Sequence, residues 1–239
     1  MANLSGFDST QLANAPMTRH FELATPLGST VPNVVRSANM VNWRPTWWRV
    51  SDLSAADTVV IDTADMAAWN PTEKWSLNSL TAGTFTVNST HMVTWRPVLF
   101  YLFTLPAGTY SIDMTDMSNW TTTTFWHLYD MPGNIVSFIP ADVAGWHMIN
   151  NFKLEDGFTE AYTNALLWGL YQASVGRTGG AGGRDAIFIA GDNAAPSGTY
   201  QACAACPVAM GTPGKEIAYE LKNDTCALGI TTWFTVTYT

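Results

Sequence analysis

Charge is scarce in this chain. Asp, Glu, Lys and Arg make up only 13 % of 239 residues, about half of what a globular domain carries. Eleven are basic and nineteen acidic, for a net charge of −8, and no basic run lies at either end. That excludes direct nucleic-acid packaging, which needs phosphate-neutralising Lys and Arg, and docking on anionic lipid. Long apolar runs are also missing, so no segment reaches bilayer-spanning length. The stretch MANLSGFDSTQLANAPMTRH lacks the charged and apolar regions of a signal peptide, and synthesis in a cytoplasm is the expectation. Cysteine is limited to Cys203, Cys206 and Cys226. An odd count is no disulfide framework and fits a reducing compartment.

What the chain does hold is Trp, eleven residues of it, and the Trp recur in register. Residues 40–77 and 92–128 align with one gap. Met40, Val41, Trp43, Arg44 and Pro45 return as Met92, Val93, Trp95, Arg96 and Pro97. Ile61, Asp62, Asp65, Met66, Trp69, Trp75 and Leu77 return as Ile112, Asp113, Asp116, Met117, Trp120, Trp126 and Leu128. This is a duplicated supersecondary unit with a period near 51 residues. Ala141–Trp146 echoes Ala64–Trp69 over six positions. The repeated residues are large and apolar, which points to architecture.

Residues 1–39 hold Pro16, Pro26 and Pro32 and no clear period. They read as an extended N-terminal arm whose Leu12, Phe21, Leu23 and Leu27 pack on a neighbour. Residues 40–239 read as a single β-rich domain. Val59–Ile61, the alternation around Phe85 and Val87, and the apolar run 98–103 are strands. The run 98–103 is buried on both faces or sits at a subunit contact. Gly83, Gly108 and Gly198 each precede Thr-aromatic and start a strand after a tight turn. Asp-Met-x-x-Trp reads as a capped helical turn with its Trp folded onto the sheet. One helix is expected from Phe158 onward, capped by Asp156 and Gly176. A loop at 177–184, a strand at 186–190 and a closing strand from Trp233 follow. The fold class expected is all-β: a β-sandwich or jelly roll with an internal duplication, one amphipathic helix and the arm.

Few residues are candidates for chemistry. The glycines at 179–183 follow a helix and precede a strand, the reverse of a phosphate loop, and read as a surface loop. Cys203-Ala-Ala-Cys206 has the spacing of half a zinc site or a redox pair, but no second pair completes it. Free, mostly buried thiols are expected. Asp62, Asp65, Asp113 and Asp116 occur too sparsely for calcium and are assigned to capping. His20, His91, His127 and His147 have no accompanying Ser or Cys motif, and no G-x-S-x-G or H-E-x-x-H is present. No catalytic residue, metal or cofactor is expected. Contact candidates are Trp47 and Trp48, found in the first copy only, with Trp43, Arg44, Trp95 and Arg96 as a framework that can also stack on a partner.

The Thr- and Trp-rich composition, the arm and turns such as Leu105-Pro-Ala-Gly-Thr-Tyr110 resemble those of phage fibre, decoration and jelly-roll capsid proteins. The resemblance implies a non-enzymatic structural subunit of a virus or phage particle, assembled in the host cytoplasm. Its partners would be its own copies and other capsid proteins, and its acidic balance would keep it off the genome-facing surface. The alternative is a carbohydrate-binding β-sandwich with Trp47, Trp48 and Trp69 as open sugar platforms.

Overall fold

The computed structural model describes residues 7–12, 19–24, 32–131, 136–137, 139–155, 157–175, 184–189, 193–228, 230 and 232–238. The chain divides into two compact units, residues 1–117 with 130–136, and residues 118–129 with 137–239.

Unit 1 contains β1 (His20–Ala24), β2 (Val34–Arg36), β3 (Trp47–Ser51), β4 (Thr58–Asp62), β5 (Lys74–Asn78), β6 (Thr84–Asn88), β7 (Leu99–Phe103) and β8 (Thr109–Asp113). Short 3-10 turns follow β2, β4, β6 and β8, at Ser37–Asn39, Thr63–Met66, Ser89–Met92 and Met114–Met117. Successive strands alternate between two sheets, ordered β1-β3-β5-β7 and β2-β4-β6-β8, and every pairing is parallel. The unit is therefore a solenoid, each coil adding one strand to each sheet.

Unit 2 holds β9 (Phe125–Tyr129), α1 (Pro140–Ala144), β11 (Asn151–Leu154), α2 (Glu160–Val175), β12 (Arg184–Ile189), α3 (Gly214–Asn223) and β13 (Trp233–Tyr238); β10 (Val136–Ser137) falls at the division. Its sheet, β9-β11-β12-β13, is again parallel throughout. Strands and helices alternate, so the chain is α/β and not an all-β sandwich or jelly roll. The jelly-roll architecture that the resemblance implied is therefore not the fold of this chain. Side-chain alternation marks which face of a strand is buried, but not which way its neighbour runs. Like strands lie a whole coil apart, a separation suited to crossovers and not to hairpins. Strand order never reverses within a unit, so neither sheet has the switch-point crevice of doubly wound folds.

The coil is half the period read from the sequence. Trp43, Trp69, Trp95, Trp120 and Trp146 follow at intervals of 26, 26, 25 and 26 residues, and all are fully buried. Four of them close the same local turn, with Trp N–H on the carbonyl three residues back: Trp43 on Met40, Trp69 on Met66, Trp95 on Met92 and Trp146 on Val143. Inside unit 1, Trp48 stacks on Trp75 and Trp75 on Phe100, both at 5.4 Å between centroids, while Trp69 and Trp95 approach these rings from the turns. Unit 2 repeats the arrangement, with Trp126 stacked on Phe152 at 5.1 Å and Trp146 tilted against it. Such offset contacts add about 0.5–1.5 kcal/mol each beyond the area they bury.

A column of hydroxyls clasps the coils of unit 1. Ser9, Ser37, Thr63 and Ser89 are buried to 1 % exposure or less. Each accepts a backbone N–H from the next coil: Ser9 from Arg36 (3.0 Å), Ser37 from Asp62 (2.8 Å), Thr63 from Asn88 (2.9 Å) and Ser89 from Asp113 (2.8 Å). Each also meets a side chain there. Asn39 donates to Ser9 (3.0 Å), Ser37 donates to Asp65 (2.6 Å), Thr63 faces His91 Nδ1 (3.1 Å) and Ser89 donates to Asp116 (2.5 Å). Asp65 and Asp116 are thus clasp acceptors, a correction to their expected capping role. The caps are Asp62, Asn88 and Asp113, which accept from Ala64, Thr90 and Thr115 at 2.9, 3.0 and 2.9 Å. Asp and His alternate down the clasp column, and Arg44, Asn70 and Arg96 alternate beside the Trp. Two coils therefore look more alike than one, and the sequence shows a double period.

The described part of residues 1–39 belongs to this solenoid and is not an arm reaching for a neighbour. β1 pairs in register with β3, and Phe21 and Leu23 are buried at 7 and 8 % exposure. Asn33 and Asp57 lock the segment down. Asp57 accepts from the Asn33 backbone (2.6 Å) and amide (2.8 Å), and from the Ser54 backbone (2.6 Å) and hydroxyl (2.8 Å), while Asn33 accepts from Phe7 N–H (3.1 Å). Leu27 and the prolines at 16 and 26 lie outside the described residues.

In unit 2, α2 begins at Glu160 and buries Leu166, Leu167, Leu170 and Ala173; Asp156 and Gly176, expected as its caps, and the glycines at 179–183 lie outside the described residues. The sequence reading missed α3, whose Ile217, Ala218 and Leu221 are buried at helical spacing. No strand forms at 199–200. Gly198 sits at φ +86°, and a Cβ there would lie 2.4 Å from Pro213, so the chain turns against α3 instead of extending.

Candidate functional site

The residues left half-exposed on the sheets are the ones with something to offer. In unit 1, Trp48, Trp75, Phe100 and Leu102 point inward and are fully buried. The alternate positions, Trp47, Arg49, Lys74, Leu99, Tyr101 and Phe103, face outward and stay half-exposed. The register aligns His20, Trp47, Lys74 and Leu99 across four strands, and Glu22, Arg49, Ser76 and Tyr101 beside them.

This outward face is ordered by rings and cations. His20 stacks on Trp47 at 5.0 Å and 12°. The Lys74 ammonium lies 4.8 Å from the Trp47 ring centre and 5.1 Å from that of Tyr101, a geometry in which ring quadrupoles attract a cation. Burial, then the neighbouring Arg49, holds the Lys74 ammonium below its ordinary range, with Glu22 pulling the other way. Arg49 is paired with Glu22 (2.7 Å) and Asp52 (3.4 Å). Lys74 has no carboxylate partner among the described residues.

Unit 2 presents the same kind of face. Phe125, His127, Tyr129, Lys153 and Phe188 are half-exposed on its sheet, and Lys153 lies 5.4 Å from the Tyr129 ring centre and 6.0 Å from that of Phe188. His127 Nε2 meets Asn151 Oδ1 at 2.7 Å. Burial lowers the His127 imidazole to about 4, against the opposite pull of the Asn151 bond and with help from Lys153.

Of the contact candidates from the sequence, Trp47 alone lies on such a face. Trp48 is fully buried and stacks on Trp75, because its strand position is inward, one residue from Trp47. Trp43 and Trp95 are fully buried framework. Arg44 and Arg96 fold back on their own turns, each donating to two carbonyls: Arg44 to Val41 (2.9 Å) and Trp43 (2.5 Å), Arg96 to Val93 (2.8 Å) and Trp95 (2.5 Å). They fasten the corner after the 3-10 turn. Tyr101 and Phe103 belong to the run 98–103, read from the sequence as buried on both faces or at a subunit contact, whereas Lys74 was missed as a contact residue; its signal was the outward parity of a strand whose inward residues, Trp75 and Leu77, are the repeated ones.

The other polar candidates are dispersed. His91 is in the clasp, and His147 Nδ1 lies 3.0 Å from the Ala173 carbonyl. Cys206 is joined to Cys226 with Cα atoms 5.4 Å apart, which corrects the expectation of free thiols; Cys203 is the free cysteine. The fully buried Glu220 carboxylate gathers this region, accepting from the N–H of Cys203 (3.2 Å) and Cys226 (3.1 Å) and from the Thr225 hydroxyl. Burial, with Glu220 and Glu216 adding, pushes the Cys203 thiol up to about 11, far from the range of a reactive thiolate. Among the described residues no three His, Cys, Asp or Glu side chains group to hold a metal ion, and no helix is long and apolar enough to cross a membrane. Compared with protein-family models, curated proteins and solved structures, the chain matches none.

Proposed function

We propose that this is a non-catalytic contact protein that associates with copies of itself through the outward sheet face of unit 1. The observation that carries the reading is the half-exposed set Trp47, Lys74, Leu99, Tyr101 and Phe103 on a parallel sheet. Parallel sheets are ordinarily covered on both faces, and half-exposed aromatics beside a cation are the composition of interface centres. Lys74 lacks a carboxylate partner among the described residues, and a chain with nineteen acidic and eleven basic residues has carboxylates in excess to offer from a second copy. A second copy therefore supplies the complement without another protein. The face does not favour glycan: His20 and Lys74 lie on the strands either side of Trp47 and cover its ring, leaving no open platform for a sugar.

Sedimentation velocity across a concentration series tests the reading. The native chain is expected to associate, and Tyr101→Asp to weaken association at least tenfold while leaving the circular dichroism unchanged. A native chain that stays monomeric throughout, or a Tyr101→Asp variant that associates like the native chain, contradicts the proposal.

A further inference from the structure

Nine of the eleven Trp are buried to 1 % exposure or less, and Trp47 is covered by His20 and Lys74. Trp168 is the remaining one. It is half-exposed, its Nε1–H has no acceptor, and its ring meets no other ring or cation among the described residues. It borders a cavity of about 330 Å³ within unit 2, walled by Ala161, Asn164, Ala165 and Trp168 of α2 and by Met210, Gly211 and Thr212 opposite.

We propose that this cavity is a binding site for a single neutral pyranose ring. Ala161, Ala165 and Trp168 share one helix face at spacings of four and three, and the two methyl groups leave the indole uncovered. Across from it Gly211, at φ +93°, has open space where a Cβ would sit. The floor is apolar but the edges are not. Asn164 is fixed by Ser197, accepting from its N–H (3.0 Å) and donating to its hydroxyl (2.8 Å), which leaves the second amide hydrogen free to donate. The Thr212 hydroxyl is also without a partner among the described residues, while Trp168 Nε1 is closed off from solvent, so the indole offers its face and not its N–H. A pyranose matches both parts: its C–H face lies on an indole, and its hydroxyls meet donors at the rim. A wholly apolar ring would leave those donors unmet, at a cost of about 1–3 kcal/mol for each buried one. An ion would find no counter-charge, since none of the seven lining residues is charged. The site is separate from the unit 1 face and stands without it.

Saturation-transfer NMR tests the site, using the methyl glycosides of glucose, galactose, mannose and N-acetylglucosamine at about 10 mM, a concentration that detects millimolar affinity. At least one glycoside is expected to bind. Trp168→Ala should abolish the signal, Trp168→Tyr should retain part of it, and Thr212→Val should weaken binding roughly three- to tenfold. Ser111→Ala, at an exposed position of β8, should leave it unchanged. Trp168→Tyr and Thr212→Val keep the test decisive if Trp168→Ala fails to fold. Absence of binding by all four glycosides overturns the proposal. So does binding indifferent to both Trp168→Tyr and Thr212→Val, or toluene displacing every glycoside more tightly than they bind.

Discussion

Replacing Ser89 by Ala removes one rung of the hydroxyl clasp and nothing else of size. Ser89 is 1 % exposed. Its oxygen accepts from Asp113 N–H at 2.8 Å and donates to Asp116 at 2.5 Å. Without it, the Asp113 N–H loses its acceptor against a buried wall, which costs about 1–3 kcal/mol. The Asp116 carboxylate is half-exposed and recovers a hydrogen bond from water, so its loss adds little. The net expectation is about 2 kcal/mol, lowering the midpoint of unit 1 by about 8 °C at the size of this unit. Thermal unfolding followed by the near-ultraviolet signal of the stacked Trp reads it out. Ser111→Ala, at an exposed position of β8, serves as the control and should shift the midpoint by no more than about 1 °C. In a double-mutant cycle, Ser89→Ala and Asp116→Ala should be non-additive, because each removes the same bond. A Ser89→Ala midpoint equal to that of Ser111→Ala would refute the clasp as a source of stability.

Asp57→Ala should cost about 3 kcal/mol and free the N-terminal strand, because it removes four hydrogen bonds at once; limited proteolysis near β1 checks this. Burial works to raise the Asp57 carboxyl, yet the bonds from Asn33 and Ser54 outweigh it and hold it low, so its contribution is present above the unfolded pKa and lost as pH falls through the folded one. His127 gives a second pH dependence: its imidazole titrates at about 4 instead of 6.5, so the unfolded chain binds the extra proton between those values. Unit 2 should lose at most about 3 kcal/mol as pH falls through that window, and His127→Gln should flatten the profile. Reducing the Cys206–Cys226 bond, which closes a loop with a sequence separation of 20, should cost about 3 kcal/mol, measured by urea unfolding with and without reductant.

The repeat and the buried Trp frame were legible because Trp and Met are rare and their spacing is strict. Strand positions were legible from a β-branched run at Val59–Ile61, a continuous apolar run at 98–103 and alternation around Phe85 and from Trp233 onward. Sheet direction was not, since parity along a strand says nothing about its neighbour. The true coil was hidden by chemistry: Asp65, His91 and Asp116 do one job with different side chains, as do Arg44 and Arg96 with Asn70 between them in the series. Ala141–Trp146 was the visible trace of the next coil. Outward residues such as Lys74 and Tyr101 carry no repeated identity, so only the register reveals that they meet. The Cys206–Cys226 bond joins residues brought together by α3, an element that Pro213 and Gly214 at its start concealed.

Hydroxyl-radical footprinting of the native chain, dilute and concentrated, tests the central claim most directly. Trp47, Tyr101 and Phe103 should oxidise in dilute solution and become protected together as the chain associates. Tyr162 and Tyr200, 48 and 43 % exposed in unit 2, should oxidise alike at both concentrations. Association that leaves Trp47, Tyr101 and Phe103 as reactive as in the monomer would contradict the account.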